Sequence, residues 1–218
     1  MRTRSITNSV LGIRNLTDST FIVRIERDGL EFEAGQYISL GLPGNNEKRE
    51  YSIYSGINDE YLEVLVREID RGVVSKQLKL LKPGAKTEME GPFGFFTLGR
   101  EQRSGRKLVF VASGTGIAPF HSYIRSYPSL DYRLLHGVRF GNEHYEAELY
   151  DPERYILCTS RDKLGSYNGR VTAYLRENPP DPDADYYLCG NSNMIHDVYD
   201  ILKEYGVEAG SIHAEVYF

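Results

Sequence analysis

Two kinds of hydrophobic pattern divide this chain of 218 residues. In the first half, apolar and polar side chains alternate, as in the segment 20–25, where Phe21, Val23 and Ile25 share one face. A period of two is typical of a strand with one buried face. Strands so closely spaced favour a closed antiparallel barrel, which leaves no exposed edge. The further segments with this strand pattern are 36–40, 51–54 and 61–66.

The second half carries near-continuous apolar runs, which are typical of strands buried on both faces. Helix-compatible stretches separate these runs, the clearest over 194–205, and five strands with four crossovers predict a doubly wound parallel sheet. We therefore predict an antiparallel Greek-key β-barrel over residues 1–98, a polar linker, and a five-stranded α/β domain over 106–218. The five apolar runs are 107–112, 132–136, 155–158, 186–189 and 212–216.

Composition narrows the function classes. Hydrophobic residues make up 40% of the chain and charged residues 26%, as in an ordinary globular protein, and no apolar run reaches the ~18 to 20 residues of a membrane span. The net charge of −5 argues against nucleic acid as a partner. Two cysteines cannot hold an iron–sulfur cluster by themselves, and the five histidines share no metal-ligand spacing, so no metal is expected. The first residues lack the apolar segment of a secretory signal, which favours the cytoplasm.

A glycine-rich turn lies between the first apolar run and a helix. Gly114, Thr115 and Gly116 stand where backbone N–H groups could hold a phosphate. Pro119 occupies the position of a third glycine in the dinucleotide fingerprint, and proline fits the first turn of a helix. An ordinary strand-to-helix turn is the structural alternative.

Arginines follow the next two apolar runs, where an NAD-binding domain would carry an acidic residue. The run 132–136 is followed by Val138-Arg139, and the run 155–158 is followed by Ser160-Arg161. Arg170 comes shortly afterwards. Any one of these arginines alone would be an ordinary surface residue. Together they suit a 2′-phosphate, and therefore NADP, at one edge of the sheet. Cys189-Gly190-Asn191 ends another strand at the same edge, although a buried cysteine is usually a small apolar residue.

The first half carries a second set of candidates. The segment Arg49-Glu50-Tyr51-Ser52 offers a cation, an aromatic plane and a hydroxyl on one strand, which suits a flavin. Gly72-Val73-Val74-Ser75 opens the one helical pattern of this half and could present N–H groups to an anion. The chain ends in Glu215-Val216-Tyr217-Phe218, where the aromatic side chains either have a role or simply pack at an edge.

These motifs resemble those of the ferredoxin–NADP reductase family, in the same order and over nearly the whole chain. The Arg-x-Tyr-Ser and Gly-x-x-Ser motifs of the family stand at 49–52 and 72–75, and its Gly-Thr-Gly-Ile-Ala-Pro motif at 114–119. Its Ser-Arg and Cys-Gly pairs are Ser160-Arg161 and Cys189-Gly190. The ending with one aromatic residue after the tyrosine is similar to the bacterial subgroup.

The resemblance implies two bound cofactors, FAD and NADP(H), and no metal. Arg49 would pair with the FAD pyrophosphate, Tyr51 would cover one isoalloxazine face, and Tyr217 would cover the other. The catalytic residues would be Ser52, Cys189, Glu215 and Tyr217. The FAD-binding residues would be Arg49, Glu50, Tyr51, Ser52, Gly72, Val73, Val74, Ser75, Thr115, Tyr217 and Phe218. The NADP-binding residues would be Gly114, Thr115, Gly116, Val138, Arg139, Ser160, Arg161, Arg170, Cys189, Gly190 and Asn191.

The resemblance also implies an NADPH-dependent reductase that exchanges electrons with an acidic carrier, ferredoxin or flavodoxin, and we expect it to be a monomer. The alternatives are the reductase subunit of an oxygenase, an NAD(P)H-flavin reductase, or a non-catalytic FAD-binding regulatory subunit. Basic residues of the first half are expected to attract the carrier. They are Arg14, Arg67, Arg71, Lys76 and Lys79.

Overall fold

The computed structural model describes residues 5–45 and 47–217. The chain forms two compact units. The first contains the residues up to Thr97 together with Ala118–Pro128, and the second contains Leu98–Ile117 and the residues from Ser129 onward. A helix in the middle of the chain therefore belongs to the first unit, whereas the residues on either side of it belong to the second.

The first unit is built on six antiparallel strands in the order β4-β3-β6-β1-β2-β5. Ile53, just beyond β4, forms an antiparallel bridge with Val64 of β5, so the two ends of the sheet meet. Strand β6 returns to lie between β1 and β3, which confirms the predicted Greek-key barrel. The strands are β1 (Ile6–Asn15), β2 (Thr20–Glu26), β3 (Tyr37–Gly41), β4 (Lys48–Ser52), β5 (Tyr61–Arg67) and β6 (Lys86–Phe93).

Two helices accompany the barrel, α1 (Val73–Lys79) and α3 (Ala118–Ser126). Helix α1 buries Val74 and Leu78 in the barrel core. On α3, the His121 ring stacks on Tyr54 with 3.7 Å between ring centroids, and its Nδ1 lies 2.7 Å from the Tyr54 carbonyl oxygen. Ser122 donates to the Ser55 carbonyl at 2.7 Å. These contacts explain why α3 packs with the barrel.

The second unit is a parallel sheet in the order β10-β9-β8-β7-β11-β12. The five predicted strands are present, and the sheet has a sixth, two-residue strand that the sequence pattern did not predict. The predicted linker contains the short helix α2 (Arg100–Arg103). The strands are β7 (Leu108–Ser113), β8 (Tyr132–Val138), β9 (Tyr155–Thr159), β10 (Tyr167–Asn168), β11 (Asp185–Asn191) and β12 (Ile212–Tyr217).

Helices α4 (Val171–Glu177) and α5 (Ser192–Glu204) pack on one face of this sheet. Val171 and Leu175 of α4 and Val198 and Ile201 of α5 bury their side chains against alternate residues of the central strands, such as Leu188. Within residues 5–45 and 47–217, no helix has both the length and the apolar content needed to cross a bilayer.

Candidate functional site

The first candidate cluster lies on β4. Strand β4 pairs with β3, so that Tyr51 lies opposite Ile38 and Ser52 opposite Tyr37. Alternation along the strand gives Arg49 and Tyr51 one face and Glu50 and Ser52 the other. The Arg49 side chain is 58% exposed, and its nearest carboxylate, on Glu47, is 3.7 Å away. The guanidinium is therefore accessible to an anion.

Tyr51 is half-buried and packs against the barrel core, while Ser52 is buried. Burial raises the pKa of Tyr51 to about 12, and the positive charge of Arg49 opposes this shift. The phenol therefore stays neutral at physiological pH and offers an aromatic plane next to a cation.

The second part of this cluster is the entry to α1. Gly72 precedes the helix, and no acidic residue stands in the first turn of α1 to occupy its N–H groups. Ser75 is buried, and its Oγ accepts the Ile69 N–H at 3.2 Å. Asn45, in the loop before β4, donates to Gln77 of α1 at 3.3 Å. The loop before β4 and helix α1 are thus joined within the first unit.

The second candidate cluster occupies the carboxyl edge of the parallel sheet. The glycine-rich turn follows β7, and Cys189-Gly190-Asn191 ends β11, the neighbouring strand. The strand order reverses between β7 and β11, which makes this position the topological switch point at which open α/β sheets bind ligands. The arginines lie on one side of the switch point, after β8, β9 and β10, and Glu215 and Tyr217 lie on the other, on β12.

Backbone contacts at the switch point are unusually close. A Cβ on Gly116 would lie 2.4 Å from the carbonyl oxygen of Cys189, and one on Gly190 would lie 2.3 Å from Ser113 Oγ. Gly190 also has a φ of +126°, which disfavours other residues. Ser113 Oγ accepts the Asn191 N–H at 2.8 Å. The turn after β7 therefore lies directly against the end of β11.

A buried histidine supports the glycine-rich turn. His136 Nε2 lies 2.9 Å from the Gly114 carbonyl oxygen, and its Nδ1 lies 2.9 Å from the Tyr155 hydroxyl. Burial lowers the pKa of His136 to about 4, so the ring is neutral. A carbonyl can only accept, so we assign the proton to Nε2, and the Tyr155 hydroxyl donates to Nδ1. The sequence analysis gave this histidine no function, and the structure gives it a structural role at the turn.

The three predicted arginines lie close together on the arginine side of the sheet. Arg161 N donates to the Arg139 carbonyl at 2.8 Å, and Ser160 N donates to the Val138 carbonyl at 3.1 Å. Gly169 N donates to Thr159 at 2.8 Å, which brings Arg170, the residue before α4, next to the end of β9. All three arginines are exposed. Among the described residues, no carboxylate lies within ion-pair distance of any of them, so their charges are accessible to an anion.

Two acidic residues close to the arginines bind backbone instead. Asp162 accepts the Gly141 N–H at 2.7 Å and the Leu164 N–H at 3.2 Å. Glu143 accepts the N–H groups of Arg139 and Phe140 at 2.8 and 3.0 Å. The Gly141 hydrogen bond is the main cause that holds the pKa of Asp162 below its usual range. The sequence analysis did not single out either residue, although Asp162 directly follows Arg161 and Glu143 comes four positions after Arg139.

On the other side of the switch point, Cys189 is opposite Glu215 and Asn191 is opposite Tyr217, so these four side chains share one face of the sheet. Burial raises the pKa of the Cys189 thiol well above its usual range, and the negative charge of Glu215 adds to this shift. A hydrogen bond with the Tyr217 side chain acts in the opposite direction. Cys189 is therefore a neutral thiol in contact with the aromatic residue near the chain end.

Some predicted residues have other partners or lie outside the description. Phe218 lies outside the described residues. Of the five cations expected to attract a carrier, Arg14 lies 3.5 Å from Glu63, and Lys79 pairs with Glu68. Lys76 donates to the Asp70 carbonyl. Two of the five cations therefore pair with carboxylates of the barrel. Within residues 5–45 and 47–217, no group of three His, Cys, Asp or Glu side chains could hold a metal.

Comparison with known proteins agrees with this geometry. Residues 12–98 match the oxidoreductase FAD-binding domain family, and residues 110–200 match the oxidoreductase NAD-binding domain family. The chain is 30% identical to ferredoxin–NADP reductase B of Sorangium cellulosum, over 85% of each chain. It is 28% identical to the toluate 1,2-dioxygenase electron transfer component of Pseudomonas putida, over 95% of this chain and 66% of that protein.

A solved structure shares the fold over the full length. The ferredoxin–NADP reductase of Neisseria gonorrhoeae, solved with FAD and NADP bound, superposes with a TM-score of 0.89 and covers 100% of both chains at 23% identity. The two family matches establish an FAD-binding and a nicotinamide-nucleotide-binding part. The chain belongs to the ferredoxin–NADP reductase family of oxidoreductases.

Proposed function

We propose that this chain is an NADPH-dependent reductase that passes electrons through FAD to a one-electron carrier protein, ferredoxin or flavodoxin. The observation that carries the NADP(H) assignment is the cationic site of Arg139, Arg161 and Arg170, because no described carboxylate neutralises it. Guanidinium groups bind phosphate through charge-assisted hydrogen bonds, and a 2′-phosphate is the group that separates NADP from NAD. We assign the activity to the cytoplasm, which the two free thiols support.

The FAD would be held by the first unit. Exposed Arg49 would bind the pyrophosphate together with the first-turn N–H groups of α1, and Tyr51 would pack its half-buried ring on the isoalloxazine. Buried Ser52 would donate a hydrogen bond near the reacting edge of the flavin. FAD supplies the conversion between a two-electron donor and one-electron acceptors, while the protein supplies binding and orientation.

The nicotinamide nucleotide would lie along the carboxyl edge of the sheet. Gly114, where a Cβ would meet nothing within 4 Å, would let a pyrophosphate approach the backbone of the turn, while Gly116 and Gly190 allow the turn to pack directly against the end of β11. Cys189 and Glu215 would border the nicotinamide, with Cys189 acting as a neutral thiol. Tyr217 would cover the flavin until the nicotinamide displaces it.

The reductase component of an oxygenase is the second candidate function. It is favoured by the match to the toluate dioxygenase component over 95% of this chain, at an identity close to that of the ferredoxin–NADP reductases. The chain spans about two thirds of the length of that component. Both functions use the same FAD and nicotinamide chemistry, so they differ in the electron acceptor.

Cofactor preference tests the NADP(H) assignment. The FAD-loaded protein should reduce ferricyanide faster with NADPH than with NADH at equal, subsaturating concentrations. Arg161→Ala should raise KM for NADPH roughly tenfold, as expected for one lost charge-assisted hydrogen bond, and leave KM for NADH unchanged. Arg133→Ala is the matched control, since it removes an exposed arginine from β8 before its carboxyl end. Equal rates with the two nucleotides would contradict the assignment.

Carrier reduction tests the partner. The wild-type protein should reduce a ferredoxin or flavodoxin with NADPH, and the rate should fall as salt rises, because an acidic carrier is steered by basic residues. Reduction of free FAD by NADPH, measured without ferricyanide or a carrier, tests whether the protein is instead a flavin reductase. A protein that reduces free FAD but neither carrier would overturn the proposal, and a protein that binds FAD without oxidising NADPH would be a regulatory subunit.

A further inference from the structure

Two loops at the carboxyl edge of the sheet carry the arginines Arg139 and Arg161. The β8 loop is residues 139–144, and the β9 loop is residues 160–166. The Arg161 N–H donates to the Arg139 carbonyl at 2.8 Å, so the backbones of the two arginines are neighbours. The positions of both side chains therefore depend on how the two loops are held together.

Asp162 joins these loops through both of its carboxylate oxygens. Oδ2 accepts the Gly141 N–H of the β8 loop at 2.7 Å, and Oδ1 accepts the Leu164 N–H of its own loop at 3.2 Å. The loops also touch directly, since a Cβ on Gly141 would lie 2.4 Å from the Leu164 Cβ. The contact leaves no space for a wider side chain between them.

We propose that Asp162 is a positioning residue for nucleotide specificity, whose carboxylate clamps the β8 and β9 loops together and so sets Arg139 and Arg161 side by side for a 2′-phosphate. This inference rests on the proposed use of NADP(H). The acidic side chain next to Arg161 acts on the arginines through the backbone, since its two oxygens are occupied by N–H groups. An acidic residue thereby supports an anion site instead of neutralising it.

Glu143 provides a matched comparison in the β8 loop. Its carboxylate accepts two N–H groups as well, those of Arg139 and Phe140, but both bonds end on the same oxygen, Oε2. A glutamine can keep both bonds with its single carbonyl oxygen. An asparagine at 162 cannot, because its NH₂ group would face one of two N–H donors. The same carboxylate-to-amide change should therefore remove one of the two bonds that fix the Asp162 side chain and keep both bonds of the Glu143 side chain.

The charge change does not confound the comparison. Both substitutions, D162N and E143Q, remove one negative charge near the arginines, and this alone would tighten the binding of an anion. A weaker affinity in D162N therefore reports the lost hydrogen bond and not the altered charge.

The experiment is calorimetric titration of the FAD-loaded protein with 2′,5′-ADP and with 5′-ADP, which differ by the 2′-phosphate. D162N should lose about tenfold in affinity for 2′,5′-ADP, the effect of one charge-assisted hydrogen bond, and keep its affinity for 5′-ADP. E143Q should stay within about twofold of wild type for both. Unchanged 2′,5′-ADP affinity in D162N overturns the role of Asp162, as does an equal loss for both ligands.

A second pair of variants tests the clamp from the opposite loop. In G141A the new Cβ would push against Leu164, and the same selective loss for 2′,5′-ADP is expected even if D162N does not fold. Leu164 is 76% exposed, so L164G removes the opposing Cβ with little loss of packing, and the double variant G141A/L164G should regain affinity. Normal 2′,5′-ADP affinity in G141A overturns the inference.

The wild-type titration separates the two proposals. A wild-type protein that binds 2′,5′-ADP and 5′-ADP equally would overturn the NADP(H) assignment itself. Discrimination that is present in wild type and survives in D162N and G141A would leave that assignment intact and overturn only the clamp.

Discussion

Replacement of Gly116 by alanine should disrupt nucleotide binding by pushing the turn after β7 away from the end of β11. The new Cβ would lie 2.4 Å from the Cys189 carbonyl oxygen and 2.7 Å from Gly190 Cα, whereas ordinary contacts begin at 3.4 Å. The turn must therefore shift by about 1 Å, which is 3.4 minus 2.4. Overpacking of this kind costs roughly 1–3 kcal/mol, or about 2–10 °C in melting temperature. A displacement of about 1 Å can lower kcat/KM by about 100-fold.

The assay is NADPH-dependent dye reduction, combined with thermal melting and a measurement of bound FAD. Gly206→Ala, beyond the end of α5, is the control, because a Cβ there meets nothing within 4 Å and the cost is limited to the positive φ of 84°, roughly 1–2 kcal/mol. We expect G206A to lose stability but to keep most of its kcat/KM. If G116A retained kcat/KM within about threefold of G206A, the close approach of the turn to β11 would not matter for function, and the reasoning would be refuted.

Three other predictions concern the remaining groups. Arg49→Ala should weaken FAD binding by roughly 1.5–3 kcal/mol, while Lys82→Ala, another exposed cation of the first unit, should not; an unchanged FAD dissociation constant would remove Arg49 from the site. Burial lowers the pKa of His136 from 6.5 to about 4, so the unfolded chain takes up the proton first as pH falls. The free energy of unfolding of the wild type should fall by at most roughly 3 kcal/mol between pH 6.5 and 4, and that of His136→Gln should not show this fall. Parallel pH profiles of the two proteins would contradict the burial argument. Tyr217→Ser should tighten NADP⁺ and NAD⁺ binding, because stacking worth roughly 0.5–1.5 kcal/mol no longer competes, and a flavin difference spectrum with no gain in affinity would reduce Tyr217 to packing.

The fold was predictable where burial imposes a simple period. Phe21, Val23 and Ile25 alternate because one face of β2 lies in the barrel core, and the continuous apolar run of β7 reflects burial on both faces. Strand β1 was missed, because its pairing register shifts between Val10 and Gly12 and breaks the alternation. Strand β10 was missed for another reason. Its two residues are a strand only because they pair with β9.

The position of the arginines and Cys189 at one edge of the sheet was predictable, but the hydrogen bonds that support this edge were not. Residues that follow parallel strands meet at one edge of the sheet, so the arginines and Cys189 could be grouped from sequence. The roles of His136 and Asp162 depend on hydrogen bonds to Gly114 and Gly141, which are 22 and 21 positions away. A hydrophobic period in the sequence does not indicate such a bond, because the two partners become neighbours only in the folded chain.

Under the proposed function, the order of the strands places the arginines that would bind the 2′-phosphate apart from the residues that would border the nicotinamide. Arg161 follows β9 and Cys189 ends β11, and three strand spacings of about 4.8 Å lie between them, or roughly 14 Å. The cationic side of the sheet can therefore determine which nucleotide binds, while the side that carries Cys189 and Glu215 contacts the nicotinamide. Charges more than about 10 Å apart near the surface interact weakly at physiological salt. Changes to the arginines or their clamp should for this reason alter affinity and leave the rate at saturating NADPH almost unchanged.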